Sequence, residues 1–187
     1  GGEGGHGVLI LSPRAVERLE SYTPSWPIPK LFRLTAKGKL NEGIFGAATI
    51  NTPSMLVIED AIDALNWAKS IGGLSALMAR SNASLDAVKS WVDKTPYFGF
   101  LAQDPATISN TGITLSITDP WFVALDDAEK ATVASRLEKA LQEEGVALDA
   151  ASYRDAPPGL RIWAGPTVEP SDVEALTKCI DHVVAAL

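Results

Sequence analysis

Residues 153–165 read YRDAPPGLRIWAG, and inside them residues 159–163 alternate. Leu160 and Ile162 fall on one face of an extended chain, Arg161 and Trp163 on the other. Upstream, residues 112–118 (GITLSIT) set Ile113, Leu115 and Ile117 against Thr114, Ser116 and Thr118 before Asp119-Pro120 stops the run. Strands that are apolar on one face only belong to an antiparallel sheet covered on one side. The cover lies in the same stretch. Residues 130–145 (KATVASRLEKALQEEG) form an amphipathic helix closed by Gly145. Ser171 and Glu174 make a capping-box pattern ahead of a helical stripe of Val173, Leu176, Ile180, Val183 and Leu187. Residues 146–150 (VALDA) add a short strand. The reading is a small α+β domain, an antiparallel sheet backed by helices.

Working upstream, Leu74, Leu77, Met78, Leu85, Val88 and Val92 share one helical stripe that stops before Pro96. An earlier helix carries Met55, Ile58, Ile62 and Leu65 and ends at Gly72-Gly73, which marks the domain boundary. This divides the chain into residues 1–71 and 72–187. Residues 21–50 hold three prolines, three glycines and no sustained period, as binding loops or arms reaching a partner do. Trp26, Phe32 and Phe45 in that stretch call for something to pack on. Val8–Leu11 (VLIL) is apolar on both faces, which is how a strand of a covered parallel sheet reads. Ser12 and Pro13 then cap and open a short helix. No other run in the chain has that doubly apolar character, so the sheet around Val8–Leu11 is expected outside this sequence.

The formal charge of −7 argues against broad contact with nucleic acid or anionic lipid, both of which need a basic surface. The longest apolar run is too short to span a bilayer. A lone Cys179 excludes an internal disulfide, and cytosol is the default compartment. Any anionic ligand must be held by local arginines or helix ends.

Residues 1–7 (GGEGGHG) precede a strand, whereas phosphate loops follow a strand and open a helix, and no GK[ST] ending is present. His6 alone makes no ligand set. Cys179 lies beside the core stripe of the last helix and reads as packing, and His182 reads as surface. No HExxH, CxxC pair or GxSxG occurs, so neither a metal site nor a hydrolase triad has support. Before the first long helix, Thr52 is placed to cap and Pro53 to open it. The same geometry, with the Asn51 amide and Thr52 hydroxyl beside free N–H groups, also makes a phosphate seat. Arg161 sits mid-strand opposite the apolar face, where a guanidinium needs a partner. That partner is either an internal acid or the carboxylate of a ligand, which the guanidinium fork matches bidentately. Arg154, in a proline-rich loop, reads as a solvated charge.

The order GGEGGHGVLILSPRAVERLE, INTPS, SNTGITLSI and YRDAPPGLRIWAG followed by TVE resembles the phosphoserine aminotransferase family, within the fold-type-I pyridoxal-phosphate enzymes. The resemblance runs the length of the chain but covers only the C-terminal half of the family's usual length. It implies an α/β protein: a remnant of the large parallel-sheet domain with a dimer arm, then the small α+β domain. It implies pyridoxal 5'-phosphate as cofactor in the intact enzyme, with the Schiff-base lysine upstream of Gly1, so that no catalytic residue and no metal ligand falls in this chain. Asn51 and Thr52 match a pair that reaches across a homodimer to the cofactor phosphate of the other subunit. Arg161 matches an arginine that grips the substrate α-carboxylate. Arg154 matches one that helps hold the substrate phosphate, although the family's preceding histidine is Tyr153 here and the spacing to Arg161 is slightly longer. The implied reaction moves an amino group between glutamate and 3-phosphohydroxypyruvate, giving phosphoserine and 2-oxoglutarate, in cytoplasmic serine biosynthesis, and the segment alone is expected to be inactive. An alanine–glyoxylate type of transaminase, or a non-enzymatic binding or dimerisation module, are the alternative readings.

Overall fold

Ser12 opens the first helix as its sequence predicts. Its hydroxyl accepts from the Ala15 N–H at 3.2 Å, and Pro13 takes the first helical position of α1 (Pro13–Ser21) in the computed structural model. The structure describes residues 7–153 and 155–186. They fall into two units divided between Trp67 and Ala68.

In the first unit, α1 is followed by a two-stranded antiparallel hairpin, β1 (Thr35–Ala36) and β2 (Lys39–Leu40). The two loop residues, Lys37 and Gly38, both have positive φ (52° and 76°), as a tight turn matched to strand twist requires. Glu20 ties α1 to the hairpin. One carboxylate oxygen accepts from the Leu40 N–H at 2.9 Å and the other from Lys39 Nζ at 2.9 Å. These bonds, the backbone N–H first, hold the Glu20 carboxyl below the usual carboxylate range. The long helix α2 (Met55–Ser70) begins later than the sequence predicts. The carbonyl of Ser54 accepts from the Ile58 N–H, so the helix opens after Ser54 and Thr52 is not its cap.

Three expectations for this unit are corrected. Val8–Leu11 forms no strand, and Val8 and Ile10 stand 85% and 88% exposed. A doubly apolar strand needs hydrogen-bonded neighbours, and among the described residues no strand pairs with this run. Trp26, Phe32 and Phe45 are likewise exposed rather than packed. The apolar stripe of α2 is present in the helix but uncovered, with Met55, Ile62 and Leu65 all exposed.

In the second unit, Gly72 and Gly73 (φ 114° and 69°) turn the chain into α3 (Gly73–Val92). Then come β3 (Phe98–Phe100), β4 (Gly112–Ile117), the single-turn α4 (Pro120–Val123) and α5 (Asp127–Glu143). The chain closes with β5 (Gly159–Trp163) and α6 (Pro170–Ala186). The sheet is antiparallel in the order β3-β4-β5. Its register sets Ile113 opposite Ile162 and Leu115 opposite Leu160, so four apolar side chains pair on one face. α3, α5 and α6 cover that face: Val88, Leu137, Leu141, Val173 and Ile180 are all buried with it. Burying side chains of this size contributes roughly 1.5–3 kcal/mol each.

Local chemistry explains the details. Asp126 and Glu129 form a reciprocal capping box at the start of α5, one turn before the predicted helix start. The box expected of Ser171 and Glu174 is absent. α6 begins at Pro170, and the carbonyl of Glu169 takes the first helical N–H groups, which puts Ser171 inside the helix. VALDA forms no strand; only Ala151 makes an isolated bridge, to Leu160. Gly159 is required by its neighbour, since a Cβ there would collide with the carbonyl oxygen of Leu115. Two polar groups on α3 differ. The Trp91 indole N–H donates to Asp181 of α6 at 2.9 Å, whereas the buried Ser84 hydroxyl finds no partner among the described residues.

Candidate functional site

β5 is held from both sides. Arg161 pairs in register with Thr114 of β4, and its own N–H donates to the Ala150 carbonyl at 2.9 Å on the opposite edge. With Leu160 and Ile162 committed to the core, the alternation turns the Arg161 side chain to the other face. There its NH2 group donates to Asp149 Oδ2 at 2.8 Å. Of the two partners open to Arg161 on sequence grounds, an internal acid is the one present. The pairing is incomplete, because Arg161 Nε is buried and has no hydrogen-bond partner among the described residues. The ring of Tyr153 lies 6.0 Å from the guanidinium carbon, at the outer limit of a cation–π contact.

Asp149 is a residue the sequence did not single out. Its backbone is left-handed (φ 57°), a region aspartate tolerates better than most side chains, and its carboxylate side chain is 83% exposed. Asp149 and Arg161 border a cavity of about 210 Å³ whose walls are mostly apolar, Leu141, Leu160, Ile162, Leu176 and Ile180 among them. Gly165 leaves room for the Trp163 indole, which packs directly over it. The arrangement is a strand-held cation with one donor engaged by a solvent-facing acid and another buried and, among the described residues, without a partner.

Asn51 and Thr52 belong to the first unit, in an exposed segment without regular structure just ahead of α2. The first turn of α2 leaves its N–H groups without intrahelical partners and carries no acidic side chain, although Glu59 and Asp60 follow in the next turn. Arg154, His6 and the rest of residues 1–6 lie outside the described residues. His182 is exposed and Cys179 half-buried. Among the described residues no group of three or more His, Cys, Asp or Glu side chains is placed to hold a metal ion, and no helix is long and apolar enough to cross a membrane.

The fold is shared with part of solved phosphoserine aminotransferases. A solved phosphoserine aminotransferase superposes on 91% of this chain and 42% of its own, with a TM-score of 0.64 at 14% identity. The enzyme from Bacillus circulans subsp. alkalophilus covers 77% of the chain and 36% of its own, with a TM-score of 0.61 at 19% identity. In sequence the chain resembles phosphoserine aminotransferases along nearly its whole length. It is 50% identical over 181 residues to those of Methanosarcina barkeri and Methanosarcina mazei, 97% of this chain and 46% of each relative. It is 32% identical over 190 residues to the one from a Nocardioides species, 97% of this chain and 45% of that relative. No family model matches. The chain spans about half the length of the curated relatives it matches.

Proposed function

We propose that this chain is the C-terminal part of a pyridoxal-phosphate-dependent transaminase that exchanges an amino group between glutamate and 3-phosphohydroxypyruvate, forming phosphoserine and 2-oxoglutarate. The observation that carries the reading is Arg161, a guanidinium anchored mid-strand on the sheet face away from the core, whose Nε has no hydrogen-bond partner among the described residues. Its role is to take the α-carboxylate of both amino-acid substrates. A guanidinium on a strand fixed at both edges moves little, so the bound acid keeps one orientation, and that decides which bond at Cα is presented for cleavage. Arg154, seven residues before Arg161 in the sequence, favours the phosphorylated substrate by charge. Asn51 and Thr52 fit the cofactor phosphate: an amide and a hydroxyl, both exposed, ahead of a helix start free of acidic residues. In this reading they serve the partner subunit of a homodimer in the cytoplasm. Pyridoxal phosphate supplies the electron sink.

The test is kinetic, on the full-length protein. Arg161→Ala is expected to raise KM for glutamate and for phosphoserine by at least about tenfold, as loss of a charged bidentate contact does. Arg154→Ala is expected to weaken phosphoserine and spare glutamate. Unchanged KM values for Arg161→Ala, or alanine preferred over phosphoserine as donor in the native enzyme, overturn the assignment.

A further inference from the structure

We propose that Trp163 is a specificity-determining residue of the same site: its indole is a fixed wall on which the carbon chain of an acid held by Arg161 lies. The inference rests on the reading of Arg161 as the carboxylate-binding residue and adds what selects among the acids it takes.

Alternation along β5 turns Trp163 to the sheet face of Arg161, because Leu160 and Ile162 are committed to the core. Residues two apart on a strand stand about 6.5 Å from one another, a spacing that a carbon chain of a few bonds covers. The register leaves that face nearly bare. Trp163 pairs with Gly112, Arg161 with Thr114 and Gly159 with Ser116, so the cation and the indole are the two long side chains that β4 and β5 present there. No side chain of β4 fills the space beside the ring, since its cross-strand partner is a glycine. The ring is held without being covered. Gly165 lets its six-membered ring lie against the backbone just past the end of β5, where a Cβ would collide with it. Trp163 nonetheless remains 60% exposed. A tryptophan fixed in place with most of its surface in water has a large apolar area left to bury. Its rotamer freedom is already reduced, so a ligand lying on it gains burial with little further loss of side-chain entropy. The Arg161 side chain retains 33% exposure, on the face where Trp163 stands. The class selected is an amino acid whose side chain begins with methylene groups, because these are what an indole covers. Glutamate, with two methylenes after Cα, gains more from such a wall than phosphoserine, with one. Trp163 acts on binding and leaves the chemical step alone.

The experiment compares Trp163→Ala, Trp163→Phe and Arg161→Ala in the full-length enzyme. It reads KM and kcat for glutamate and phosphoserine, the calorimetric affinity for glutarate, which has no amino group to transfer, and the melting temperature. Trp163→Ala is expected to raise KM for glutamate and to weaken glutarate about four- to fifteenfold, the loss of one or two buried methylenes. KM for phosphoserine should rise no more than about fourfold, with kcat unchanged for both. Trp163→Phe, which keeps an aromatic face, should return these values toward the native ones. The melting temperature should hold in both variants, since the ring is mostly exposed. A lowered melting temperature with equal KM changes for the two substrates shows that another part of the protein covers the indole, and overturns the inference. Unchanged KM values in Trp163→Ala overturn it as well. If Arg161→Ala raises KM while Trp163→Ala does not, the proposed function stands and the wall falls. If Arg161→Ala leaves KM unchanged, both fall.

Discussion

Leu65 in α2 and Leu115 in β4 are the same side chain on elements of equally clear apolar period, yet Leu65 is 69% exposed and Leu115 is 1% exposed. The two residues stand for their units. Downstream of Trp67, three strands and three long helices converge on one apolar core. Upstream of it, none of the described residues is buried, and the order rests on local bonds: a helix cap, a tight hairpin and the carboxylate of Glu20. An apolar period identifies the face an element needs to cover, and whether the cover exists depends on the rest of the molecule.

The contrast has measurable consequences. The largest is expected from Leu115→Ala, which empties a closed core and should cost about 3 kcal/mol in chemical denaturation of the chain. Leu65→Ala in the same chain should stay within about 0.5 kcal/mol, as exposed substitutions do. Equal losses would mean that the α2 stripe is covered in solution. A smaller effect of opposite sign is expected inside the core. Ser84 buries a hydroxyl without a partner, so Ser84→Ala should stabilise by about 1 kcal/mol, and a loss instead would reveal a bond made by that hydroxyl. The smallest effect belongs to the first unit. The Glu20 carboxyl is held below its ordinary range, so its contribution to docking α1 on the hairpin is complete above the unfolded carboxyl's range. That contribution is lost as the pH falls through the lowered value. The Leu40 amide resonance should follow this titration in the native chain and be flat in Glu20→Gln.

Much of the second unit was legible in the residues. The alternation of 112–118 and of 159–163 predicts both long strands and their buried faces, and the structure pairs them in register. The stripe of α6 predicts Val173, Ile180 and Val183 as core. Short elements escaped: β3 has three residues and α4 one turn, too few for any period to repeat. Helix starts shifted because several residues near each start are able to cap, and which does so depends on where the chain enters. This explains Ser54 in place of Thr52 and the early start of α6 at Pro170. At the candidate site, Arg161 stood out by its position, an arginine between two core side chains. Asp149 did not, since an aspartate twelve residues away in an irregular loop carries no spacing that announces the pair.

From its residues alone this chain declares an antiparallel sheet with helices on one face, a cation set into one of its strands, and a resemblance to aminotransferases carried by ordered motifs. These follow from local periods and residue chemistry, which act within a few positions along the chain. Which acid meets that cation, which donor stays unmet and which apolar faces lie uncovered are set by groups distant in sequence. Loop paths and packing bring those groups together, and no pattern of neighbours encodes them.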